Sequence, residues 1–219
     1  SKTVLELGCG TGYYGLYLSE KCKSYQGIDL VPKHIKQFQK KIVDHQLPNV
    51  QAAVGDATHL PEIQENTYDI VLVFGPMYHL QPNERKKVIA ESKRVCKEGG
   101  LILFAYINKV GAYLRACFDD DMKVNYPNAA TNHSVFVEGI DDHLPDVFYF
   151  TMPEEMVQDA TDEGLTVVRN AGVDFFFNPT GINSMDEEKY AVWTEIMDYM
   201  YNSSSCAGTS NHAVLVCRK

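Results

Sequence analysis

The chain has 219 residues, of which 45% are hydrophobic and 22% are charged, a composition that is typical of a globular protein and excludes a disordered or fibrous one. The formal charge of −9 is unevenly distributed, because residues 1–109 carry 14 basic and 11 acidic side chains whereas residues 110–219 carry 6 and 18. An acidic half of this kind repels phosphate backbones, so we expect no nucleic acid as a partner.

The cysteines and the apolar runs indicate in which cellular compartment we expect the protein. No two of the six cysteines form a CxxC pair or a metal-type spacing with histidine, and we interpret them as reduced thiols in a cytoplasmic protein. The longest uncharged apolar runs, residues 70–80 and 99–108, fall short of the ~20 residues that a membrane span needs, and the first residues show no basic-then-apolar leader. We therefore expect no membrane as a partner, and the sequence leaves the oligomeric state open.

The first half alternates strands with helices. Short apolar runs predict strands at residues 4–7, 25–28, 50–54, 70–74 and 101–106, and helical spacing of apolar residues predicts helices at 13–20, from 32 onward and at 83–96. The third helix is expected to end at Gly99-Gly100, before the fifth strand. Because successive parallel strands need helical crossovers, the fold class that we predict is α/β, with a doubly wound and mostly parallel sheet.

The second half breaks this alternation. Residues 109–150 have no clear period and carry two runs of aspartate, which predicts an inserted, partly helical segment that we interpret as a lid. Helices at 153–163 and 186–201 and strands at 166–176 and 213–217 follow, and the last strand is a candidate for an antiparallel edge. We expect one domain over residues 1–219, with a cofactor-binding half at 1–108, the lid and substrate region at 109–150, and the C-terminal helices and closing strands at 151–219.

A glycine loop follows the first predicted strand. In an open parallel sheet, ligands bind at the carboxyl ends of the strands, and Gly8, Gly10 and Gly12 let the backbone approach a ligand there. The N–H groups that open the next helix add donors. A dinucleotide fingerprint needs GxGxxG, whereas here Tyr13 follows GxGxG, which disfavours an oxidoreductase that uses NAD.

Two aspartates end the next two strands. Asp29 can accept hydrogen bonds from both hydroxyls of a ribose, and Asp56 can accept from the exocyclic amine of a base. Either aspartate alone is common as a helix cap or turn residue. Both of them beside a glycine loop indicate a nucleoside site.

Five motifs carry a family resemblance over residues 1 to about 106. They read VLELGCGTG (residues 4–12), GID (27–29), GDA with LP (55–57 and 60–61), YDIV (68–71) and RVCKEGG (94–100). Together they resemble the class I S-adenosylmethionine-dependent methyltransferases. This resemblance implies a seven-stranded Rossmann-like sheet with an antiparallel last strand, S-adenosylmethionine as the cofactor, and methyl transfer as the activity.

The resemblance also implies roles for individual residues. In that family the glycine loop holds the methionine end of the cofactor, the acid that matches Asp29 binds the ribose, and the acid that matches Asp56 faces the adenine amine, while Leu30 would pack on the adenine. Aromatic residues are expected around the sulfonium, namely Tyr13, Tyr14, Phe74 and Tyr78. The full set of cofactor-binding residues that we predict is Glu6, Gly8, Cys9, Gly10, Gly12, Tyr14, Asp29, Leu30, Asp56, Ala57 and Phe74.

A narrower resemblance points to the catalytic residues. FGPMYHL (residues 74–80) and the closing residues 212–219 resemble a bacterial subgroup of small, mostly uncharacterised methyltransferases, and the loop after the fourth strand lacks the Asn/Asp-Pro-Pro-aromatic tetrad of DNA amino-methylating enzymes. We predict His79, with its neighbour Tyr78, as the catalytic residues, since histidine titrates close to neutrality and can take the proton of the acceptor.

The acceptor and the remaining candidates stay open at this point. We predict a small-molecule methyl acceptor, with a macromolecule (RNA or protein) and a non-catalytic cofactor-binding protein as alternatives. No metal is expected, because the consecutive acids Asp119, Asp120 and Asp121 point in divergent directions. His133 and His143 are expected to be solvated or capping residues.

Overall fold

Seven strands form one sheet in the computed structural model, which describes residues 2–119, 123–124, 127–140, 147–174 and 182–219. The strand order is β3-β2-β1-β4-β5-β7-β6. The strands are β1 Thr3–Leu7, β2 Ser24–Asp29, β3 Val50–Val54, β4 Tyr68–Val73, β5 Cys96–Ile107, β6 Thr166–Gly172 and β7 His212–Arg218.

Helices connect the strands in the expected alternation. The helices of the described residues are α1 Tyr13–Leu18, α2 Pro32–Asp44, α3 Pro82–Val95, α4 Lys109–Phe118, α5 Ala129–His133, α6 Pro153–Asp162 and α7 Glu187–Tyr201. Shorter helical turns cover Pro76–Tyr78, Ser134–Glu138, Ile182–Ser184 and Ser204–Thr209. None of the helices in the described ranges is long and apolar enough to cross a membrane.

The strand directions confirm the predicted fold class. β1 pairs in parallel with β2 and β4, and the pairs β2–β3 and β4–β5 are parallel too. β7 runs against β5, because Gly99 N–H donates to the Lys219 carbonyl at 3.0 Å whereas Asn108 N–H, further along β5, donates to the Asn211 carbonyl at 2.8 Å. The sheet is therefore a Rossmann-like, doubly wound sheet with an antiparallel closing strand.

The chain divides into two compact units. The first comprises Ser1–Ala105, Val157–Val168 and Val216–Lys219, and it contains strands β1 to β4 with the loops that follow them. The second comprises Tyr106–Met156 and Arg169–Leu215, and it contains α4, α5 and α7. The predicted site residues all belong to the first unit.

A buried aromatic residue organises the core of the first unit. Phe38, on the inner face of α2, is fully buried, and its ring meets the Tyr25 ring of β2 edge to face with centroids 6.2 Å apart. The spacing of Val31, Ile35, Phe38 and Ile42 predicts one buried face on α2. Ile35 is buried on it, whereas Val31 is exposed because it lies just before the helix begins. The cluster comprises Val4, Cys9, Tyr25, Ile35, Phe38, Val50 and Leu72.

Two details differ from the pattern-based expectation. The third helix ends at Val95, and the fifth strand begins at Cys96 rather than at residue 101. Cys96 pairs with Tyr68, and regular pairing resumes at Leu101 opposite Ile70, so Gly99 and its neighbours form a bulge, with Gly99 at φ +71°. A glycine pair after a helix therefore indicated an irregularity inside a strand, not the turn before it.

In the second unit, the spacing of Trp193, Ile196, Met197 and Met200 predicts one apolar face on α7, and this prediction is only partly correct. Met197 is buried and Trp193, four residues earlier, is half-buried on the same face, but Ile196 is 50% exposed. At α4, Asn108 caps the helix by accepting from Val110 N–H, and the buried Lys109 forms an ion pair with Glu155 at 2.9 Å. Asp120, Asp121, Asp141, Asp142 and His143, and residues 175–176 of the predicted sixth strand, lie outside the described residues.

Candidate cofactor-binding and active site

The glycine loop has a backbone that only glycine adopts readily. Gly8, Gly10 and Gly12 have φ angles of +73°, +53° and +86°, in the left-handed region. A Cβ on Gly12 would lie 2.0 Å from the Phe38 ring, so this position also has no room for a side chain. A Cβ on Gly10 would meet nothing within 4 Å, which means that the backbone of Gly10 faces open space that a ligand can enter.

The loop that follows β4 packs directly on the glycine loop. A Cβ on Gly8 would lie 2.6 Å from Pro76 Cδ, and a Cβ on Gly75 would lie 2.9 Å from the Gly8 carbonyl oxygen. This contact brings the predicted catalytic residues to the edge of the glycine loop. Tyr78 donates its hydroxyl proton to the Phe74 carbonyl at 2.9 Å, and the exposed His79 ring lies 4.7 Å from the Tyr78 ring.

Asp29 fastens the glycine loop to the end of β2. Its carboxylate accepts from Gly10 N–H at 2.8 Å and from Val31 N–H at 2.9 Å, and His34 Nδ1 lies 3.2 Å from Oδ1. A carboxylate offers about four acceptor positions, so these three partners leave one. Both hydroxyls of a ribose can therefore bind only if His34 turns away, which is open to it because its side chain is 44% exposed.

Glu6 is a buried acid at the end of β1. It is 1% exposed and accepts a hydrogen bond from the Tyr25 hydroxyl. Burial, and to a smaller extent the charge of Asp29, raises the pKa of Glu6 to about 8. The side chain is thus a neutral carboxylic acid at pH 7 until a positive charge comes near it.

The residues predicted to contact the adenine base lie at the ends of β2 and β3. Leu30 is 68% exposed next to Asp29, which leaves its side chain available to pack on a flat ring. Asp56 is exposed, and its Oδ1 accepts from both the backbone N–H and the hydroxyl of Thr58 at 2.8 Å. Asp56 therefore acts as a turn residue, the common role of an aspartate at a strand end, and Ala57 lies within that turn.

Aromatic rings line the loop side of the site. The Tyr14 ring lies 5.0 Å from Phe74 and 5.3 Å from Tyr13, both edge to face. Burial raises the pKa of Tyr14, with Glu6 contributing second, and burial raises the pKa of Tyr78, with Tyr14 second, so both phenols are neutral. Burial also raises the pKa of the Cys9 thiol, with Glu6 and Asp29 adding to the effect, which excludes a thiolate nucleophile in the loop.

Three contacts of this site were not found by sequence reasoning. His34 faces Asp29, Tyr25 binds Glu6, and Lys41 of α2 donates to the Thr11 carbonyl at 2.9 Å. Only His34 had a usable signal, because a residue one turn into a helix lies beside the acid that ends the preceding strand. Among the described residues, no three His, Cys, Asp or Glu side chains form a group that could hold a metal ion.

Taken together, the fold and this site suit a Rossmann-like protein for a nucleoside that carries a positive charge. The loop leaves the Gly10 backbone open, the Asp29 carboxylate keeps an acceptor position, Leu30 has an exposed apolar side chain, and Tyr14 and Phe74 present aromatic rings of the kind that attract a cation. These residues fit S-adenosylmethionine, whose sulfonium is such a cation.

The comparisons with known proteins agree with this class. Residues 4–100 match the family model described as a methyltransferase domain. The chain is 26% identical over 177 residues to a ubiquinone biosynthesis O-methyltransferase of Hydrogenovibrio crunogenus, a match that covers 80% of this chain and 66% of that protein. It is 34% identical over 103 residues to a malonyl-[acyl-carrier protein] O-methyltransferase of Hamiltonella defensa, covering 47% and 36%.

The solved structures agree on the fold. A SAM-dependent methyltransferase from Methanosarcina mazei superimposes with a TM-score of 0.67 at 16% identity, over 100% of this chain and 92% of that one. Residues 4–100 thus match a methyltransferase domain, and the fold of the chain is that of an S-adenosylmethionine-dependent methyltransferase. This supports the predicted resemblance to the class I family and the cofactor that it implies, while the chain spans less than two thirds of the length of the two curated relatives.

Replacing Asp29 tests the ribose contact. We expect Asp29→Ala to lower the affinity for S-adenosylmethionine by about 100-fold, because charge-assisted hydrogen bonds contribute roughly 1.5–3 kcal/mol each, and to lower the melting temperature, because Gly10 N–H and Val31 N–H lose their acceptor. His34→Ala is the matched variant and should bind the cofactor as well as the wild type or better. Calorimetry on both variants checks this, and equal losses in the two would contradict the geometry.

Two alanine substitutions separate the binding and structural roles of the glycines. Gly10→Ala should keep the fold, at a cost of roughly 1–2 kcal/mol for the left-handed backbone, and should weaken cofactor binding because its methyl group enters the ligand space. Gly12→Ala should lower the free energy of unfolding by about 3 kcal/mol or more, since it adds a clash with the buried Phe38 ring. Urea unfolding and cofactor titration measure both, and a Gly10→Ala variant with unchanged affinity would place the cofactor elsewhere.

The buried acid predicts a pH dependence of stability. Burial raises the pKa of the Glu6 carboxyl from its ordinary 4.5 to about 8 in the folded chain, so between these pH values the folded state holds a proton that the unfolded state has released. Its contribution is complete below pH 4.5 and is lost as the pH rises toward 8. The free energy of unfolding, measured in urea at about pH 5 and about pH 8, should therefore fall by a few kcal/mol more in the wild type than in Glu6→Gln. Parallel pH profiles would show that Glu6 is ionised throughout.

Proposed function

We propose that this chain transfers a methyl group from S-adenosylmethionine to a small-molecule acceptor. The observation that carries the proposal is the juxtaposition of an open glycine backbone at Gly10 with the aromatic cluster of Tyr14, Phe74 and Tyr78 over a buried acid, Glu6. The relatives described above are named as O-methyltransferases of ubiquinone biosynthesis and of malonyl-[acyl-carrier protein], which supports an acceptor other than nucleic acid.

The residues of this chain have separate tasks in that reaction. The glycine loop would hold the methionine end, Asp29 the ribose, and Leu30, Asp56 and Ala57 the adenine. When bound, S-adenosylmethionine supplies an electrophilic methyl group on a sulfonium, and the reaction is an in-line displacement by the acceptor. The protein therefore contributes alignment and the exclusion of water, while ring faces attract the cation by roughly 0.5–2 kcal/mol.

His79 and Tyr78 are the proposed catalytic pair. The two rings meet at 60°, and the hydroxyl of Tyr78 is committed to the Phe74 carbonyl. Because the pKa of Tyr78 is raised by burial, this phenol stays protonated and serves to hold the loop. The imidazole of His79 is the exposed member of the pair and is left as the group that takes the acceptor's proton.

We further propose that residues 109–150 select the acceptor and that the protein acts in the cytoplasm. The acidic balance of the second half favours neutral or cationic acceptors over phosphorylated ones. The six cysteines are unpaired, which supports a reducing compartment.

A macromolecular acceptor is the second candidate. A tRNA methyltransferase of Haemophilus influenzae matches 46% of this chain at 31% identity. The third candidate function is binding of the cofactor without catalysis.

One assay tests the function and its alternatives. The full chain is incubated with S-adenosylmethionine labelled in the methyl group and a panel of phenols, carboxylic acids and amines, with total tRNA and a denatured protein mixture as the macromolecular arms. Label that appears only in a small molecule supports the proposal. Label in tRNA or protein supports the second candidate, and tight cofactor binding with no label transferred to any acceptor supports the third.

Substitution of His79, the proposed general base, should lower turnover without changing cofactor binding. We expect His79→Asn to lower kcat at least tenfold, because general bases contribute roughly 10²–10⁴, and to leave the Kd for S-adenosylmethionine unchanged. Tyr78→Phe is the control, since it keeps the aromatic ring next to His79 and removes the hydroxyl that donates to the Phe74 carbonyl. A wild-type kcat in His79→Asn would mean that the rate comes from alignment.

A further inference from the structure

The second unit contains a cavity whose lining residues have no assigned role in the proposed methyl transfer. It lies against α7, has a volume of about 240 Å³, and is lined by Asp174, Tyr190, Trp193, Asp198 and Tyr201 together with smaller and aliphatic side chains. We call it the α7 cavity. Its described lining contains three aromatic rings and two carboxylates and no basic residue.

One of the two carboxylates is held rigidly. Asp174 follows β6, and its oxygens accept from the backbone N–H of His212 at 2.5 Å and from the Ser210 hydroxyl at 3.3 Å, while His212 Nδ1 lies at 2.6 Å. Burial alone would raise the pKa of Asp174, but the hydrogen bonds from the His212 side chain and backbone outweigh it, and the pKa is lowered. The carboxylate is therefore ionised and fixed in orientation without a ligand.

The Tyr201 phenol lies within electrostatic range of both carboxylates and of Tyr190. Burial raises the pKa of the Tyr201 phenol, and the charges of Asp174 and Asp198 and the Tyr190 phenol raise it further. Trp193 presents the side chain whose face attracts cations most strongly. Negative charge with aromatic faces is the chemistry that recognises an organic ammonium group, whose positive charge is spread over its methyl or methylene groups.

We propose that the α7 cavity binds a small organic ammonium compound, with Asp174 and Asp198 as the anionic groups and Trp193, Tyr190 and Tyr201 as the cation–π partners. The volume is below the 300–1,000 Å³ of pockets that enclose a drug-sized ligand, so it suits one ammonium head group. The proposal can be tested apart from methyl transfer, because none of the residues named here is among those proposed above to bind the cofactor, take the proton or select the acceptor.

The only tryptophan of the chain reports binding directly. Trp193 fluorescence is titrated with choline and with 3,3-dimethyl-1-butanol, which has the same shape and no charge, using the full chain without S-adenosylmethionine. We expect a saturable change with choline and an affinity at least tenfold weaker for the neutral alcohol. Asp198→Asn should weaken choline binding at least tenfold, and so should Asp174→Asn.

Trp193 also borders a separate, more open groove that is lined by Glu188, which provides a matched control. Glu188→Gln should bind choline as the wild type does. Loss of binding in Glu188→Gln with retention in Asp198→Asn would move the cation to the groove and overturn the proposal, as would equal affinity for choline and the neutral alcohol. If Asp174→Asn does not fold, Asp198→Asn and a calorimetric titration of Trp193→Phe decide the question.

Discussion

The site depends on the position of one aromatic ring. A Cβ on Gly12, Gly15 or Gly27 would approach the fully buried Phe38 ring to between 2.0 and 2.9 Å. The glycine loop, the start of α1 and the middle of β2 can therefore come together only because three different elements carry no side chain at these points. This close approach keeps the loop from shifting toward the core, and the Gly10 backbone consequently stays directed at open space.

Above this packing, the loop is held by charge. Asp29 accepts hydrogen bonds from two backbone N–H groups, and these bonds stabilise the folded chain whether or not a ribose is bound. A residue that both builds a site and binds its ligand is expected to lose stability and affinity together when it is replaced. Glu6 shows the opposite arrangement, since its single described partner, the Tyr25 hydroxyl, does not compensate for burial, and its proton is therefore retained. A cation that arrives near Glu6 favours release of that proton, so the acid can respond to a sulfonium.

The parts of the fold that were predictable from the sequence are those in which local pattern and tertiary environment agree. Apolar runs bounded by glycine and aspartate identified β1 to β4, and the motif of residues 4–12 identified the loop, because both signals lie within a few neighbouring residues. The bulge at Gly99 was missed since its cause is the register with β4, which no local pattern encodes. The exposure of Ile196 was missed for a similar reason: α7 carries apolar residues around most of its circumference, and only packing decides which of them are buried.

The contacts that carry most of the electrostatics were the least predictable, because they join residues far apart in the chain. Asp29 and Gly10 are 19 residues apart, and Asp174 and His212 are 38 apart, although both pairs come together at the ends of adjacent elements. In each case a backbone N–H faces a half-buried or buried aspartate, and in each case aromatic side chains lie in the same unit. At Asp174 the donors that are already in place lower the pKa against the effect of burial, so a cation meets a charge that needs no reorganisation. Backbone donors cannot be removed by substitution of their own side chains, so this arrangement of anion and amide persists when the aromatic residues around it are replaced.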